Sequence, residues 1–297
     1  MKTLGINISH NASICQVTNG NIDFYLEEDR FNYQKYYHPT PKHCFFKSID
    51  EYVKEKLDNI IIASYGSWND IECCELLSKQ LNQPVEFCPT QHHLYHACAG
   101  FKLSNFDEAI VIIMDGGGAQ EFCFYQEMES IYLMNKQKTV RRYLHASCVR
   151  WNKFYNFKVV HPQPGVIDKH FFIDDCEYFL SDKKSMGFMF GDMCIEMGFK
   201  NKGEDSGKLM GLAAYPHQKK PKELQEYSKN YTIELLKKAF AYSDCKNVVL
   251  SGGYALNCVN NYHYVKAFPT HHFFVDPVAH DGGTAIGAAL WLNDSKR

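Results

Sequence analysis

The chain has 297 residues, of which 45% are hydrophobic and 22% charged, with a formal net charge of −2. That is the composition of a globular protein long enough to bury two cores. The near-neutral balance points away from a general nucleic-acid or membrane surface, a local basic patch aside. The start, MKTLGINISHNASICQV, has no signal-peptide core, and no run of about 18 apolar residues occurs, so the expected location is cytoplasmic, with no membrane partner. The twelve cysteines are scattered, without a C-x-x-C pair. They are expected as reduced thiols filling small apolar positions, not as zinc ligands.

In chain order, residues 3–26 read as strand, polar turn, strand, Asn-Gly turn, strand. A helix is expected at 46–56, a buried strand at 59–66, a helix at 69–81 and a strand at 84–88. PTQHHLYHACAGF, 89–101, reads as a helix capped by Thr90. His92 and His96 are four apart and stack on one helical face, either as half of a metal site or as polar surface histidines. Ala97, Ala99 and Gly100 let that helix press against a neighbour. Residues 109–134 repeat the opening meander, their first strand running into Asp115. The aromatic stretch 140–182 reads as less regular. A helix at 222–243, a strand at 247–250, a helix from Tyr254, a strand at 272–276 and a helix from Thr284 to Leu292 complete the chain. Strands alternating with helices around a duplicated meander indicate an α/β protein of two related lobes facing a cleft.

Three glycine-rich turns stand out. In IVIIMDGGG an apolar strand delivers Asp115, and Gly116 and Gly117 follow; such strand ends carry sites in α/β folds, although a hairpin turn would also want glycine. LSGGYALN, 250–257, sets Gly252 and Gly253 between a strand and a helix, where backbone N–H groups favour an anion; a tight strand–helix turn is the plain alternative. In HDGGTAIGAAL, Asp281 either caps the last helix or is a ligand held at its start. Ala285, Gly287, Ala288 and Ala289 suggest close helix packing. In SGKLMGLAAYP, Gly207 and Lys208 suit either a phosphate neighbour or the solvated surface.

GINISHNAS, EEDRFNYQK, QHHLYHACAGF, IMDGGG, GKLMGLAAY, LSGGYALNCVNN and DPVAHDGGTAIGAAL occur in that order over nearly the whole chain. In this order they resemble the O-carbamoyltransferases of the nodulation, cephem and aminoglycoside-tailoring type. The transfer domain of that family is similar to the threonylcarbamoyl-adenosine tRNA enzymes. The resemblance implies a two-lobed actin-like ATPase (ASKHA) fold with duplicated ribonuclease H-like lobes, 1–106 and 107–297, and a nucleotide and metal cleft between them. It implies that His92, His96, Asp115 and Asp281 bind one divalent metal, with His93 turned away. Two imidazoles and two carboxylates suit Fe²⁺, Mn²⁺ or Zn²⁺ better than Mg²⁺, and the family favours iron. It places His10 and Lys35 at the carbamoyl group, and Gly252, Gly253 and Asn257 at the nucleotide, beside the turns at Gly116, Gly117, Gly207 and Lys208.

The implied reaction moves a carbamoyl group from carbamoyl-adenylate, made from carbamoyl phosphate and ATP, to a hydroxyl on a small or polymer-borne acceptor. The aromatic stretch 149–165 is a candidate acceptor wall. Asp192 and Glu204 are carboxylates near motif segments that suit a general base or, more plainly, the surface. Larger members carry a C-terminal activating domain, and this chain is expected to lack it; either a separate activating protein supplies the adenylate, or the chain uses another donor route, or it is a fragment or a degenerate relative. Threonylcarbamoyl transfer to tRNA, a sugar-kinase relative and a non-catalytic nucleotide-binding subunit are the alternatives.

Overall fold

A computed structural model of the chain describes residues 1–66, 69–122, 125–147 and 168–296. The chain divides into two compact units, Met1–Leu103 with Pro277–Arg297, and Ser104–Asp276.

The first unit holds β1 (Lys2–Asn7), β2 (Ser13–Thr18), β3 (Asn21–Glu27), α1 (Asp29–Asn32), α2 (Lys47–Tyr52), β4 (Asn59–Ala63), α3 (Asn69–Leu81), β5 (Glu86–Phe87) and α4 (His92–Ser104). Its sheet runs β3-β2-β1-β4-β5, the first pairs antiparallel and β1-β4-β5 parallel. β1, β2 and β4 are apolar and buried, as expected of strands covered on both faces. Leu4, Ile6, Ile14, Ile60, Ile62 and Leu77 make one side of the core.

The second unit holds β6 (Glu108–Met114), β7 (Gln120–Phe122), β8 (Tyr125–Asn135), β9 (Thr139–Ser147), β10 (Lys169–Ile173), β11 (Cys176–Ser181), α5 (Met186–Glu196), α6 (Ser206–Leu212), α7 (Lys219–Phe240), β12 (Asn247–Ser251), a 3-10 turn (Gly253–Leu256), α8 (Cys258–Ala267) and β13 (His272–Val275). Its sheet runs β10-β11-β9-β8-β6-β12-β13, with β7 paired to β8. The run β9-β8-β6-β12-β13 repeats the strand order and directions of the first unit. The duplicated α/β unit is present, but its third meander strand is β9, beyond the expected 109–134, and the short β7 inside that range only flanks β8. α7 buries Leu224, Ser228, Thr232, Leu235 and Ala239 at three- and four-residue intervals, the stripe of an amphipathic helix.

The last segment corrects the expected lobe boundary at 106/107. After the second unit, a 3-10 turn (Asp281–Gly283) and α9 (Thr284–Ser295) return to the first unit and pack on β1, β2 and β4. The cause is the composition of α9. It is buried on nearly every face and needs a cover for all of them. Its small residues allow close approach, as expected. A Cβ on Gly5 would lie 2.0 Å from the Ala285 carbonyl, and one on Gly287 only 1.7 Å from that of Tyr95 in α4. Ala99 joins Ala285 and Ala289 in one cluster, and Tyr95 joins Ala288 in another.

Other expectations shift locally. α2 stops at Tyr52, and β5 has two residues. The Tyr95 N–H bonds to the Gln91 carbonyl, so Gln91, not Thr90, takes the capping position of α4. The stretch 140–182 contains β9, β10 and β11 where irregular chain was expected, and α5 and α6 were not foreseen as helices. The helix expected from Tyr254 begins at Cys258, after one 3-10 turn. The aromatic stretch 149–165 lies outside the described residues. Among the described residues the cysteines are free thiols, and no helix is long and apolar enough to cross a membrane.

Candidate functional site

In the first unit, chain segments that are distant in sequence deliver polar side chains to one buried place. β1 ends at Asn7, and its side-chain amide donates to the carbonyls of His10 and Asn11, each at 3.2 Å. Asn11 takes a left-handed φ of 59°, which asparagine tolerates. This turn presents Ser9 and His10 at the carboxyl end of a parallel strand, where α/β sites form. α4 begins at His92 and brings His96 one turn later on the same side. The 3-10 turn before α9 brings Asp281.

His92, His93 and His96 are each 0% exposed, which removes the surface-histidine alternative. Asp281 is also buried. Its Oδ1 lies 3.9 Å from His92 Nε2 and 3.8 Å from His96 Nε2, and its Oδ2 lies 3.4 Å from His10 Nε2. The Ser9 hydroxyl is 2.8 Å from Asp281 Oδ2 and 2.7 Å from Asn7 Oδ1, and its one proton serves one of them at a time. Burial by itself would push the Asp281 pKa up. The imidazoles of His10, His92 and His96 outweigh it and hold the carboxyl well below its usual range. Asp281 does not cap α9 through its side chain; its carbonyl instead accepts the Thr284 hydroxyl at 2.6 Å.

Both ring nitrogens of His96 are buried without a hydrogen-bond partner. Such a group costs about 1–3 kcal/mol in desolvation unless something else satisfies it. The separations of 3.8 and 3.9 Å exceed hydrogen-bond length. They fall within the roughly 3–4 Å that parts two donors each about 2.1 Å from a shared cation. His92, His96 and Asp281 therefore fit a metal ion, and this buried histidine–aspartate cluster can hold one. Tyr65, which follows β4, packs its ring against His92 at 4.9 Å and near His10 at 6.3 Å. It is a neighbour of the site that the sequence reading missed, since nothing in the local pattern around it signals a ligand. Lys35 lies exposed in the turn after α1, its ammonium 4.6 Å from the Tyr36 ring.

Asp115 belongs to the second unit, at the end of β6. There it accepts the Gly253 N–H at 3.0 Å, so the two glycine turns of that unit meet. Gly252 has φ 88°, and a Cβ on it would sit 2.4 Å from the Met114 carbonyl, so only glycine fits. Around Gly116 the position of a Cβ is open, whereas one on Gly117 would strike Phe188. Ser185 caps α5 by accepting the Phe188 N–H, and its hydroxyl donates to the Gly116 carbonyl at 2.8 Å. Asn257 caps α8 and accepts an amide hydrogen of Gln225 at 2.8 Å. Gly207 and Lys208 sit in α6; Lys208 is 65% exposed and pairs with Asp205 at 2.6 Å. Asp192 lies between Lys184 and Lys202, each at 2.5 Å, and Glu204 is half-buried in the turn before α6.

The family model described as "Carbamoyltransferase N-terminus" matches residues 223–290, which include Gly252, Gly253, Asn257 and Asp281. The nodulation protein NolNO of Sinorhizobium fredii is 22% identical over 96% of this chain and 46% of its own length. The chain is similar to the carbamoyltransferases. Among solved structures, HypF in its phosphate- and nucleotide-bound form superposes with a TM-score of 0.59 at 14% identity, over 99% of this chain and 55% of that one. A ROK hexokinase from Thermus thermophilus matches at 0.51 and 12% identity, over 99% of this chain and 100% of the other. These likenesses show the actin-like ATPase fold. The chain spans about half the length of NolNO and of HypF.

Proposed function

We propose that this chain is a metal-assisted carbamoyltransferase that moves a carbamoyl group from carbamoyl-adenylate to an acceptor hydroxyl. The observation that carries the reading is the buried cluster of His92, His96 and Asp281, with His96 lacking any other partner, beside the half-exposed His10. The similarity to carbamoyltransferases and the nucleotide-bound state of HypF support the donor chemistry. Asp115 would be the fourth ligand, and the ion would be Fe²⁺, with Mn²⁺ or Zn²⁺ as substitutes. When bound, the ion would supply Lewis-acid stabilisation of negative charge.

The acceptor oxygen attacks the carbamoyl carbon. A C–O bond forms to the acceptor, the C–O bond to the phosphate breaks, and AMP leaves with that electron pair. The Asn11 side-chain oxygen, 2.7 Å from His10 Nδ1, holds the His10 proton there. His10 Nε2 is then the atom that takes the hydroxyl proton, and the Asp281 carboxylate steadies the imidazolium that results. Lys35 would add positive charge at the carbamoyl group. The N–H groups of the turns at Gly116–Gly117 and Gly252–Gly253 would face the phosphates. The adenylate is made from carbamoyl phosphate and ATP, and the acceptor is a hydroxyl of a small or polymer-borne molecule.

The test is to supply carbamoyl phosphate, ATP and Fe²⁺, with and without an added carbamoyl-adenylate-forming protein, and to follow AMP release and mass gain on candidate alcohols. Transfer that needs the metal and His10 supports the reading. Metal and nucleotide binding without transfer to any alcohol, even with the adenylate supplied, would favour a nucleotide-binding subunit. Transfer to tRNA adenosine would favour the threonylcarbamoyl branch.

A further inference from the structure

The turn that carries Asp281 is held by a second set of side chains that the reaction does not use. Gly282 donates its N–H to His280 Nδ1 at 3.1 Å. That nitrogen therefore carries the lone pair, and the ring proton sits on Nε2. His280 Nε2 faces Glu27 Oε1 at 3.3 Å, and the Tyr25 hydroxyl donates to the same oxygen at 3.1 Å. Tyr25 and Glu27 are both on β3. The chain Tyr25–Glu27–His280–Gly282 thus ties the backbone next to Asp281 to a strand of the sheet. It is reinforced by the Ser13 hydroxyl, which donates to the Gly282 carbonyl at 2.7 Å. Gly282 has no side chain for a reason: a Cβ there would lie 2.5 Å from the Tyr25 oxygen.

We propose that Glu27 and His280 are positioning residues for the cation site. Glu27 fixes the tautomer of His280, His280 fixes the Gly282 N–H, and the locked turn aims the Asp281 carboxylate at the place faced by His92 and His96. A carboxylate that orients a histidine, which in turn orients the next group, is the usual way an outer layer sharpens a metal site. Here that layer reaches the ligand through the backbone and touches neither imidazole ligand. The two side chains are only partly buried, 18% and 25% exposed, so they can be replaced without opening the core. The proposal rests on the metal reading above.

The lock needs an acceptor at position 27 and a lone pair at His280 Nδ1. Glu27→Leu removes the acceptor, whereas Glu27→Gln can still present an amide oxygen to His280 Nε2. His280→Leu removes both ends, and Glu27→Leu carries the test if that variant does not fold. Co²⁺ is titrated into wild type and variants well below their melting temperatures, and its visible ligand-field bands are recorded. The expected result is a loss of about 10-fold to 100-fold in Co²⁺ affinity with shifted bands for Glu27→Leu, and near wild-type binding for Glu27→Gln. A role confined to folding would lower the melting temperature and leave affinity and bands alone. Wild-type affinity in Glu27→Leu, or equal losses in Glu27→Leu and Glu27→Gln, overturns the proposal. Wild-type protein that takes up no Co²⁺ overturns the metal reading itself, which is a separate result.

Discussion

His145 in the second unit and His96 in the first are both buried to within 1% exposure, yet they are opposite kinds of histidine. His145 is saturated. Its Nδ1 lies 2.5 Å from Glu129 and its Nε2 2.7 Å from Ser181, and Tyr231 donates to the same glutamate at 3.3 Å. His96 has no hydrogen bond at either nitrogen. Burying an imidazole is costly, and a fold recovers that cost when every nitrogen finds a partner. Where it does not, the position is maintained for something that stability alone does not reward. Burial alone does not separate structural from functional histidines; the set of partners does.

The two units differ in the same sense in how they build a site on one strand order. The first uses side chains: Ser9 and His10 beyond β1, His92 at the start of α4, Asp281 just before α9. The second uses backbone at Gly252–Gly253, gathered by Asp115. The first arrangement depends on tight helix packing, so Gly287→Ala should have the largest effect. Its Cβ would meet the backbone of the histidine helix at 1.7 Å. Loss of about 4 kcal/mol or more, or failure to fold, is expected in denaturant unfolding. A near-neutral Gly287→Ala would mean that α4 is not held as described.

Next in size is His145→Leu, expected to cost about 3 kcal/mol because it strands the Glu129 carboxylate in the interior. His96→Leu should cost less in metal-free protein, about 1 kcal/mol or less, because it removes two buried nitrogens without a hydrogen bond while also removing one of the three imidazoles that offset the Asp281 charge. If both variants lose the same stability, the distinction between the two histidines fails. Thermal melts of metal-free protein decide it.

The smallest effect concerns Asp192. Burial raises its pKa, but Lys184 and Lys202 together draw it below the ordinary value of 3.8. A carboxylate with a lowered folded pKa adds stability above its unfolded pKa and loses it as pH falls through the folded one. Asp192→Asn should therefore cost about 1 kcal/mol or less at neutral pH, with the gap from wild type closing below about pH 4. A gap that persists at low pH would show that shape, not charge, matters there.

Much of this was legible in sequence, for reasons that differ by residue. The i, i+4 spacing of His92 and His96 survives because both lie in one helix, and the small residues of α9 report the close approach they permit. The return of β6 to the pattern of β1 was readable as an apolar run ended by a polar or glycine turn. What could not be read was long-range partnership. Glu129, His145 and Ser181 lie on three strands, and each alone looks like an ordinary polar residue in an alternating segment. The return of α9 to the first unit was hidden too, since chain order gives no sign of which sheet a late helix will cover. Glu27 and His280 are the extreme case, meeting only because β3 and the turn before α9 lie side by side.

The most direct measurement is metal content after Fe²⁺ loading and desalting without oxygen, for wild type, His92→Ala and Asp281→Ala. With His92, His96 and Asp281 as ligands, wild type should retain about one equivalent and each variant only a small fraction of it. Undiminished iron in both variants, each folded by its melting curve, would contradict the cation site on which the proposed carbamoyl chemistry depends.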